Sequence, residues 1–321
     1  MSSLVYSTEC LLDLIMKIDL QYNIKRDIEF IKDAEKINDD ELSNLTTVSR
    51  TTLLEITKNN KTTQAVYEKI YSFIYKNKYR LNSVKEEILK EQNKIILFHG
   101  SKNGLTEIKT NGSRNNCDFG NGFYLGENYK QALAFISGFD YSSIYSFSFN
   151  DKDLKIYKFN CDLEWMLAVC YYRGIIKEYV NNKIIKDIID KIKDVDVIIT
   201  PIADNKMFYV MTQFAEGEIN ADVAIHSLSA SSLGNQYILK TDKAINSLLP
   251  IEKYYICNEE RMDCQNDLEN RSYEIDTKLK IAKREFKDGL YIDEVFKWEN
   301  LIMMDYYWQN IKEKYLNNLL I

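Results

Sequence analysis

Glycine and proline are scarce in this chain and unevenly placed. The 321 residues include 11 glycines and two prolines, and residues 1–99 contain neither. Ten of the glycines and both prolines, Pro201 and Pro250, lie within residues 100–250. Because these two residue types punctuate turns, the distribution predicts a helical N-terminal segment, a turn-rich mixed centre and a helical C-terminal segment.

Other absences exclude classes of site and of protein. Two histidines, His99 and His226, are too few for a histidine-rich metal centre, and the six cysteines form no CxxC pair. Buried thiols are therefore expected rather than a zinc site or a disulfide framework, and no metal is expected. No apolar run approaches the ~18 residues of a membrane helix. The first 20 residues lack a basic leader, so we expect a cytoplasmic protein without a membrane partner.

The centre of the chain alternates between strand-like and helix-like segments. Between the strand-like segments lie helix-like stretches of unequal length, which disfavours a doubly wound sheet and predicts an α+β fold. The strand-like segments are rich in β-branched and aromatic residues: "KIILFHG" (94–100), "SIYSFSF" (143–149), "LKIYKFN" (154–160), "VDVIITPIA" (195–203) and "NQYILKT" (235–241).

Two short helices joined by a tight turn are predicted within residues 39–57. Leu42 and Leu45 form the apolar stripe of the first helix, and Ser49 is placed to cap the second. The pair resembles the helix-turn-helix of the Cro-type repressors, with a recognition helix at roughly 49–57. Arg50, Lys58 and Lys61 belong to a local basic excess that suits phosphate contacts, so residues 49–61 are a candidate DNA-binding segment. A helical bundle used for dimerisation or partner docking is the alternative.

The C-terminal segment reads as two long amphipathic helices. Their aromatic residues favour internal packing over a ligand site, and a surface for a partner or for self-association is the alternative. These aromatic residues are Phe296, Trp298, Tyr306, Tyr307, Trp308 and Tyr315.

The densest glycine cluster lies in "DFGNGFYLGENYKQALAF" (118–135). It does not fit the dinucleotide fingerprint G-x-G-x-x-G, because residue 125 is leucine, and no GK[ST] of a P-loop occurs in the chain. Residues 94–250 resemble the ADP-ribosyltransferase superfamily, in its diphtheria-toxin-like and poly(ADP-ribose)-polymerase-like branch. They resemble more closely a bacterial family of that superfamily known only as a domain of unknown function. The segments that carry the resemblance are "FHGS", "SRNNCDFGNGFYLGENYKQA", "EWMLAVCYYRG", "VDVIITPIADNKM" and "NQYILKTDKAINSLL".

The resemblance implies a split β-sheet core that binds NAD as substrate. In it, His99 hydrogen-bonds a ribose hydroxyl, the backbone of Gly100 pairs with the carboxamide, and the Tyr124 ring stacks on nicotinamide. Taken singly, His99 is more typical of a structural histidine at a strand end and Tyr124 of a core aromatic; their order and spacing together favour the pocket. The remaining residues expected to bind NAD are Arg114 and Arg173, for the pyrophosphate, and Asp118, Gly120, Gly122 and Phe123 in the glycine-rich loop.

Gln236 departs from the superfamily pattern, in which a glutamate at this position supports the positive charge of the transition state. Glutamine keeps the hydrogen bond without the charge, which argues against polymer formation and for single transfer. Asp204, Glu216 and Glu218 are expected to lie near enough to contribute charge. His99, Tyr124 and Gln236 are therefore the predicted catalytic residues.

The resemblance implies a bacterial mono-ADP-ribosyltransferase, a toxin or phage-defence effector that transfers ADP-ribose to a protein or nucleic acid and has a cognate antitoxin. Two alternatives stay open: a DNA-binding regulator whose centre senses NAD or ADP-ribose, and an NAD glycohydrolase. The predicted domains are a helix-turn-helix-like head (1–92), an NAD-binding domain (93–255) and a helical extension (256–321).

Overall fold

The computed structural model describes residues 16–92, 94–113, 116–229 and 233–297. Within these ranges the chain forms thirteen α-helices and nine strands, which confirms the predicted α+β class. The strands are β1 Met16–Lys17, β2 Ile95–Ser101, β3 Glu107–Ile108, β4 Phe123–Gly126, β5 Ser143–Phe149, β6 Ile156–Lys158, β7 Val197–Pro201, β8 Asn235–Leu239 and β9 Leu248–Tyr254. The helices are α1 Ile24–Glu35, α2 Asp39–Thr46, α3 Arg50–Asn59, α4 Gln64–Lys76, α5 Leu81–Lys90, α6 Tyr129–Ile136, α7 Leu163–Tyr172, α8 Lys183–Ile192, α9 Asn205–Ala215, α10 Ala221–Ser229, α11 Asp242–Ile245, α12 Asn258–Glu285 and α13 Ile292–Val295.

Seven strands form one mixed sheet in the order β6-β7-β8-β4-β2-β5-β9. β6 and β7 are parallel, and the other neighbours are antiparallel. The ladder between β2 and β4 consists of the pair Phe98↔Gly126, whereas β2 and β5 pair at seven positions. The sheet therefore has two well-paired parts, β6-β7-β8-β4 and β2-β5-β9, joined by a narrow link rather than separated into two sheets.

All five predicted strands are present, as β2, β5, β6, β7 and β8, and β9 is among the strands that were not predicted. This strand contains Pro250, which lacks the N–H that a central strand needs. β9 tolerates proline because it lies at the edge of the sheet, and its register shifts by one residue opposite Ser146 and Phe147.

The helices α1 to α5 share a core of aliphatic and tyrosine side chains. Ile70 and Ile74 of α4 are buried in this core. The predicted recognition helix corresponds to α3, and Ser49 caps it by accepting a hydrogen bond from Thr52 N at 3.1 Å. The prediction for Leu45 is wrong, since its side chain is 55% exposed. In the eight-residue α2, Leu42 and Thr46 occupy the buried face instead.

A buried ion network ties this helical head to β9. The Lys85 ammonium lies 2.7 Å from Asp27 Oδ2 and 2.9 Å from Glu252 Oε1, and all three residues are buried. Buried charges are tolerated when they are paired and hydrogen-bonded, and the Tyr71 hydroxyl also donates to Asp27 at 2.6 Å. Tyr255 completes the core of the head from beyond β9. The domain boundaries at 92/93 and 255/256 stay a prediction.

The first predicted C-terminal helix is confirmed as α12, which spans 28 residues. The second is described only as α13 and the residues that follow it up to 297. Phe296 stacks on Tyr179 with ring centroids 4.1 Å apart, so this member of the predicted aromatic face packs internally. The other members, from Trp298 onward, lie outside the described residues. Among the helices described, none has the length and apolarity needed to cross a membrane.

Glu260, in the first turn of α12, is half-buried where α5, α6 and α12 meet. Its carboxylate receives hydrogen bonds from the Tyr129 hydroxyl at 3.1 Å and from Asn82 Nδ2 at 3.0 Å. Burial raises the pKa of Glu260 to about 7, although these two bonds oppose the rise. The carboxyl is therefore partly protonated near neutral pH, unlike its neighbour Glu259.

We expect the protonated Glu260 to stabilise the fold at mildly acidic pH. Because its pKa is higher in the folded chain, its contribution is complete below about pH 4.5 and is lost as pH rises through about 7, a change of about 3 kcal/mol. The free energy of unfolding of the parent minus that of Glu260→Gln, measured with urea from pH 4 to 8, should fall with pH. Hydrogen bonds from Lys76 and Ser72 outweigh burial and lower the pKa of Glu259, so Glu259→Gln should give the opposite trend. A flat difference for Glu260→Gln would contradict the expectation.

Candidate active site

Three adjacent strands bring together the residues that the sequence singled out. His99 lies near the end of β2, Tyr124 in β4 and Gln236 in β8, and the sheet order is β8-β4-β2. In the β4–β8 ladder, Tyr124 pairs with Ile238 and Gly126 with Gln236. Because side chains alternate along a strand, Tyr124 and Gln236 project from the same face of the sheet.

The His99 imidazole bridges β2 and β4 just beyond their one ladder pair. Its Nδ1 lies 2.8 Å from the carbonyl oxygen of Tyr124, and its ring stacks on Phe123 at 4.4 Å. A carbonyl only accepts, so Nδ1 carries the proton and donates it. Burial lowers the pKa of His99, which keeps the ring neutral. Nε2 is consequently an acceptor, and no described residue donates to it.

The phenol of Tyr124 is fixed at the opposite face of β4. Its hydroxyl donates to the Gly120 carbonyl at 2.7 Å and accepts from Phe119 N at 3.2 Å. Phe123 projects to the other face of the strand, where it stacks on His99. Burial raises the pKa of the Tyr124 hydroxyl well above its usual value. A neutral phenol with an anchored hydroxyl offers a rigid ring rather than a proton acceptor.

A second polar cluster surrounds the carboxylate of Asp118, which is 5% exposed. Its Oδ1 accepts from Arg173 Nε at 2.8 Å and from Arg173 Nη2 at 2.5 Å. Its Oδ2 accepts from Gln236 Nε2 at 2.9 Å. The guanidinium of Arg173 also lies over the Phe208 ring at 4.6 Å. Asp118 and Arg173 are thus brought to Gln236 as an ion pair, and the carboxylate that contacts Gln236 is Asp118.

The glycines of this region have reasons within the protein itself. Gly120 has a φ of +67°, in the left-handed region that other residues rarely adopt. A Cβ at Gly100 would lie 2.6 Å from the carbonyl oxygen of Ala132 in α6, and one at Gly122 would lie 2.6 Å from Ile238. Close packing and one turn conformation therefore account for these glycines without a ligand.

The remaining predicted residues are Arg114, Asp204, Glu216 and Glu218. Arg114 lies outside the described residues. Asp204 caps α9, accepting from Met207 N at 2.8 Å. Glu216 and Glu218 follow the opposite end of α9, beyond about 16 Å of helix, and Glu218 accepts from Gln213 Nε2 at 3.0 Å. The expectation that the two glutamates supply charge beside Gln236 is therefore not met.

Two residues that support the site were not singled out in the sequence. Lys240 Nζ donates to the Phe119 carbonyl at 2.8 Å and to the Asn121 carbonyl, which holds the glycine-rich loop against β8. Ser113 Oγ accepts from Gly122 N at 3.1 Å. Lys240 comes four residues after Gln236 in the quoted segment, but its partners are about 120 residues away in the chain, so no local pattern indicates the contact.

Comparison with known proteins identifies one similar family within the chain. A family model described as "Protein of unknown function (DUF3990)" matches residues 95–249, slightly less than half of the chain. This confirms the predicted similarity to a family of unknown function, with nearly the predicted limits, and it names no activity. Searches of the curated proteins and of the solved structures give no match.

The surroundings of His99 predict its pKa and its tautomer in solution. Its pKa in the folded chain should lie below 6.5, with the proton of the neutral ring on Nδ1. Because the unfolded chain binds this proton more readily, the contribution of His99 to stability is present above pH 6.5 and is lost as pH falls through its lowered pKa. With two histidines in the chain, nitrogen-15 NMR of the imidazoles resolves both. His99→Asn, which keeps a donor near the Nδ1 position, assigns the signal; a proton on Nε2 or a pKa above 6.5 would contradict the geometry.

Proposed function

We propose that this chain is a mono-ADP-ribosyltransferase that cleaves NAD and transfers ADP-ribose to a macromolecule. The observation that carries the proposal is the bond from His99 Nδ1 to the Tyr124 carbonyl. Because Nδ1 donates in this bond, Nε2 of His99 is left as a hydrogen-bond acceptor. It lies on β2 just beyond the single ladder pair with β4, the strand that carries Tyr124. Residues of the resembled superfamily motif thus lie on three neighbouring strands, although His99 and Gln236 are far apart in sequence.

Each of these residues has a role that its surroundings support. His99 Nε2 accepts a hydrogen bond from a ribose hydroxyl, because Nε2 is the acceptor nitrogen of the neutral ring. Tyr124 offers a ring whose hydroxyl is anchored at two backbone groups, so that stacking on nicotinamide costs little side-chain entropy. Arg173 keeps Nη1 without a partner among the described residues and retains partial exposure, which leaves one donor for a phosphate oxygen.

The proposed reaction breaks the bond between the nicotinamide nitrogen and C1′ of the ribose. Nicotinamide leaves with the bonding electron pair, and an oxygen or nitrogen of the acceptor forms a bond to C1′ and loses its proton. Positive charge develops on the ribose in the transition state, where nearby acceptors and anions stabilise it. The buried carboxylate of Asp118, in contact with Gln236, is the anion closest to the third motif residue. Water as the acceptor gives the glycohydrolase.

If Tyr124 acts by stacking, NAD binding depends on its ring and not on its hydroxyl. Tyr124→Ala should weaken NAD binding about tenfold, because it removes the ring face. Tyr124→Phe keeps the ring and should bind within about threefold of the parent. Titration calorimetry with NAD measures both variants, and circular dichroism verifies that each is folded. Equal affinity in the parent and in Tyr124→Ala would place the nicotinamide elsewhere. With labelled NAD in a lysate, label on macromolecules indicates transfer, and free ADP-ribose indicates hydrolysis.

A DNA-binding regulator is the second candidate function, and the exposed side of α3 favours it. Thr51, Lys58 and Asn59 are exposed on this helix. Arg50, in contrast, is bound to Asp40 at 3.0 Å, which offsets its charge. In this proposal the central sheet senses NAD or ADP-ribose, and the absence of a carboxylate at Gln236 keeps turnover low.

We expect the full chain to bind duplex DNA in a salt-dependent way if α3 faces the phosphates. The full chain is required, because Tyr255 and Glu252 complete the core and the ion network of the head. The double variant Lys58→Ala/Lys61→Ala should reduce the slope of log affinity against log salt by about two. Lys191→Ala on α8, which pairs with Glu164, serves as the control. A parent that binds no duplex, including its own promoter, would eliminate this candidate.

A further inference from the structure

The side-chain amide of Gln236 is held in one orientation by its surroundings. Nε2 donates to Asp118 Oδ2 at 2.9 Å, and the Pro201 carbonyl lies 3.5 Å from the same nitrogen. Both neighbours only accept, so the nitrogen faces them and Oε1 faces the other way. The residue is 2% exposed, yet Oε1 receives no hydrogen bond from any described residue.

Asp118 itself has no freedom to turn away. Its Oδ1 is engaged by two nitrogens of Arg173, and Arg173 is packed on Phe208. The carboxylate therefore presents Oδ2 to Gln236 Nε2. This contact leaves the other atom of the amide, Oε1, to face a ligand. An asparagine in place of Asp118 would remove this constraint, because its Nδ2 would face Gln236 Nε2 and the two donors would repel. The amide would then flip and present Nε2 instead of Oε1.

We infer that Asp118 is a positioning residue that makes the third motif position a hydrogen-bond acceptor for a ribose hydroxyl and places a negative charge beside it. The inference rests on the proposed function and refines it: the acceptor is an amide oxygen, and the charge comes from the glycine-rich loop instead of from residue 236. In the resembled superfamily one glutamate supplies both the hydrogen-bond acceptor and the negative charge. Here Gln236 supplies the acceptor and Asp118 supplies the charge.

An exchange of the two side chains tests this division. In Asp118→Asn/Gln236→Glu, the introduced asparagine keeps an oxygen for Arg173 and donates Nδ2 to the introduced carboxylate, so the hydrogen bonds are preserved with the roles reversed. In Gln236→Glu alone, two buried carboxylates meet and cannot both ionise. In Asp118→Asn alone, the Gln236 amide flips and presents a donor where the ribose hydroxyl needs an acceptor. Each single variant should lower kcat/KM for NAD cleavage about ten- to a hundredfold, and the exchange should recover it to within about fivefold of the parent.

Nicotinamide release gives kcat and KM, and urea unfolding gives stability for the same four proteins. The control is Asp196→Asn, which alters a buried aspartate that accepts from the Thr241 hydroxyl at 2.7 Å, away from the Asp118 cluster. This variant should change stability and leave kcat/KM of the folded protein within about threefold of the parent.

If the exchange restores stability without kcat/KM, Asp118 is only structural and the inference is overturned. Full activity in Asp118→Asn overturns it as well. A parent that neither binds nor cleaves NAD overturns the proposed function itself, whereas a parent that cleaves NAD with an exchange variant as slow as the single variants overturns this inference alone.

Discussion

The hydrogen bond between the His99 imidazole and the Tyr124 carbonyl is the contact on which the geometry of the candidate site depends. β2 and β4 share one ladder pair, so the backbone alone joins the two parts of the sheet weakly. The His99 imidazole bridges the two strands one residue beyond this pair. It donates a hydrogen bond to the Tyr124 carbonyl and so satisfies that backbone acceptor. The same bond fixes the tautomer of His99 and hence the chemistry of Nε2. The His99 side chain therefore helps to hold β2 and β4 together, and its Nε2 is the hydrogen-bond acceptor that a ligand would meet there.

The glycine-rich loop shows how strongly structural and functional roles overlap in this region. Gly120 provides a left-handed turn and the carbonyl that anchors Tyr124. Lys240 binds the carbonyls on either side of it. Asp118, two residues earlier, turns its carboxylate inward to Arg173 and Gln236. Lys240 thus holds the loop in place, and the loop conformation orients the polar groups of Asp118 and Tyr124 at the candidate site.

The helical head is attached to the sheet through charge as well as through apolar packing. Lys85 and Arg26 contact the Glu252 carboxylate on β9, the edge strand of the sheet. Glu260 lies in the same region, among α5, α6 and α12, with its pKa raised by burial. Removing one partner of the Lys85–Glu252 pair would leave a buried charge without compensation, which is costly.

The sequence by itself determined most of the elements and their order. The strand at 143–149 and the cap at Ser49 follow from side-chain composition and capping chemistry, which act over a few residues. Leu45 and β9 were misread or missed because burial in an eight-residue helix and tolerance of proline at a sheet edge depend on neighbours distant in the chain. The pairing of Asp118 with Gln236, the distance of Glu216 and Glu218 from it, and the orientation of the Gln236 amide were decided only by the tertiary structure. The physical reason is that hydrogen bonds between side chains 118 residues apart depend on strand order and register, which no local pattern contains.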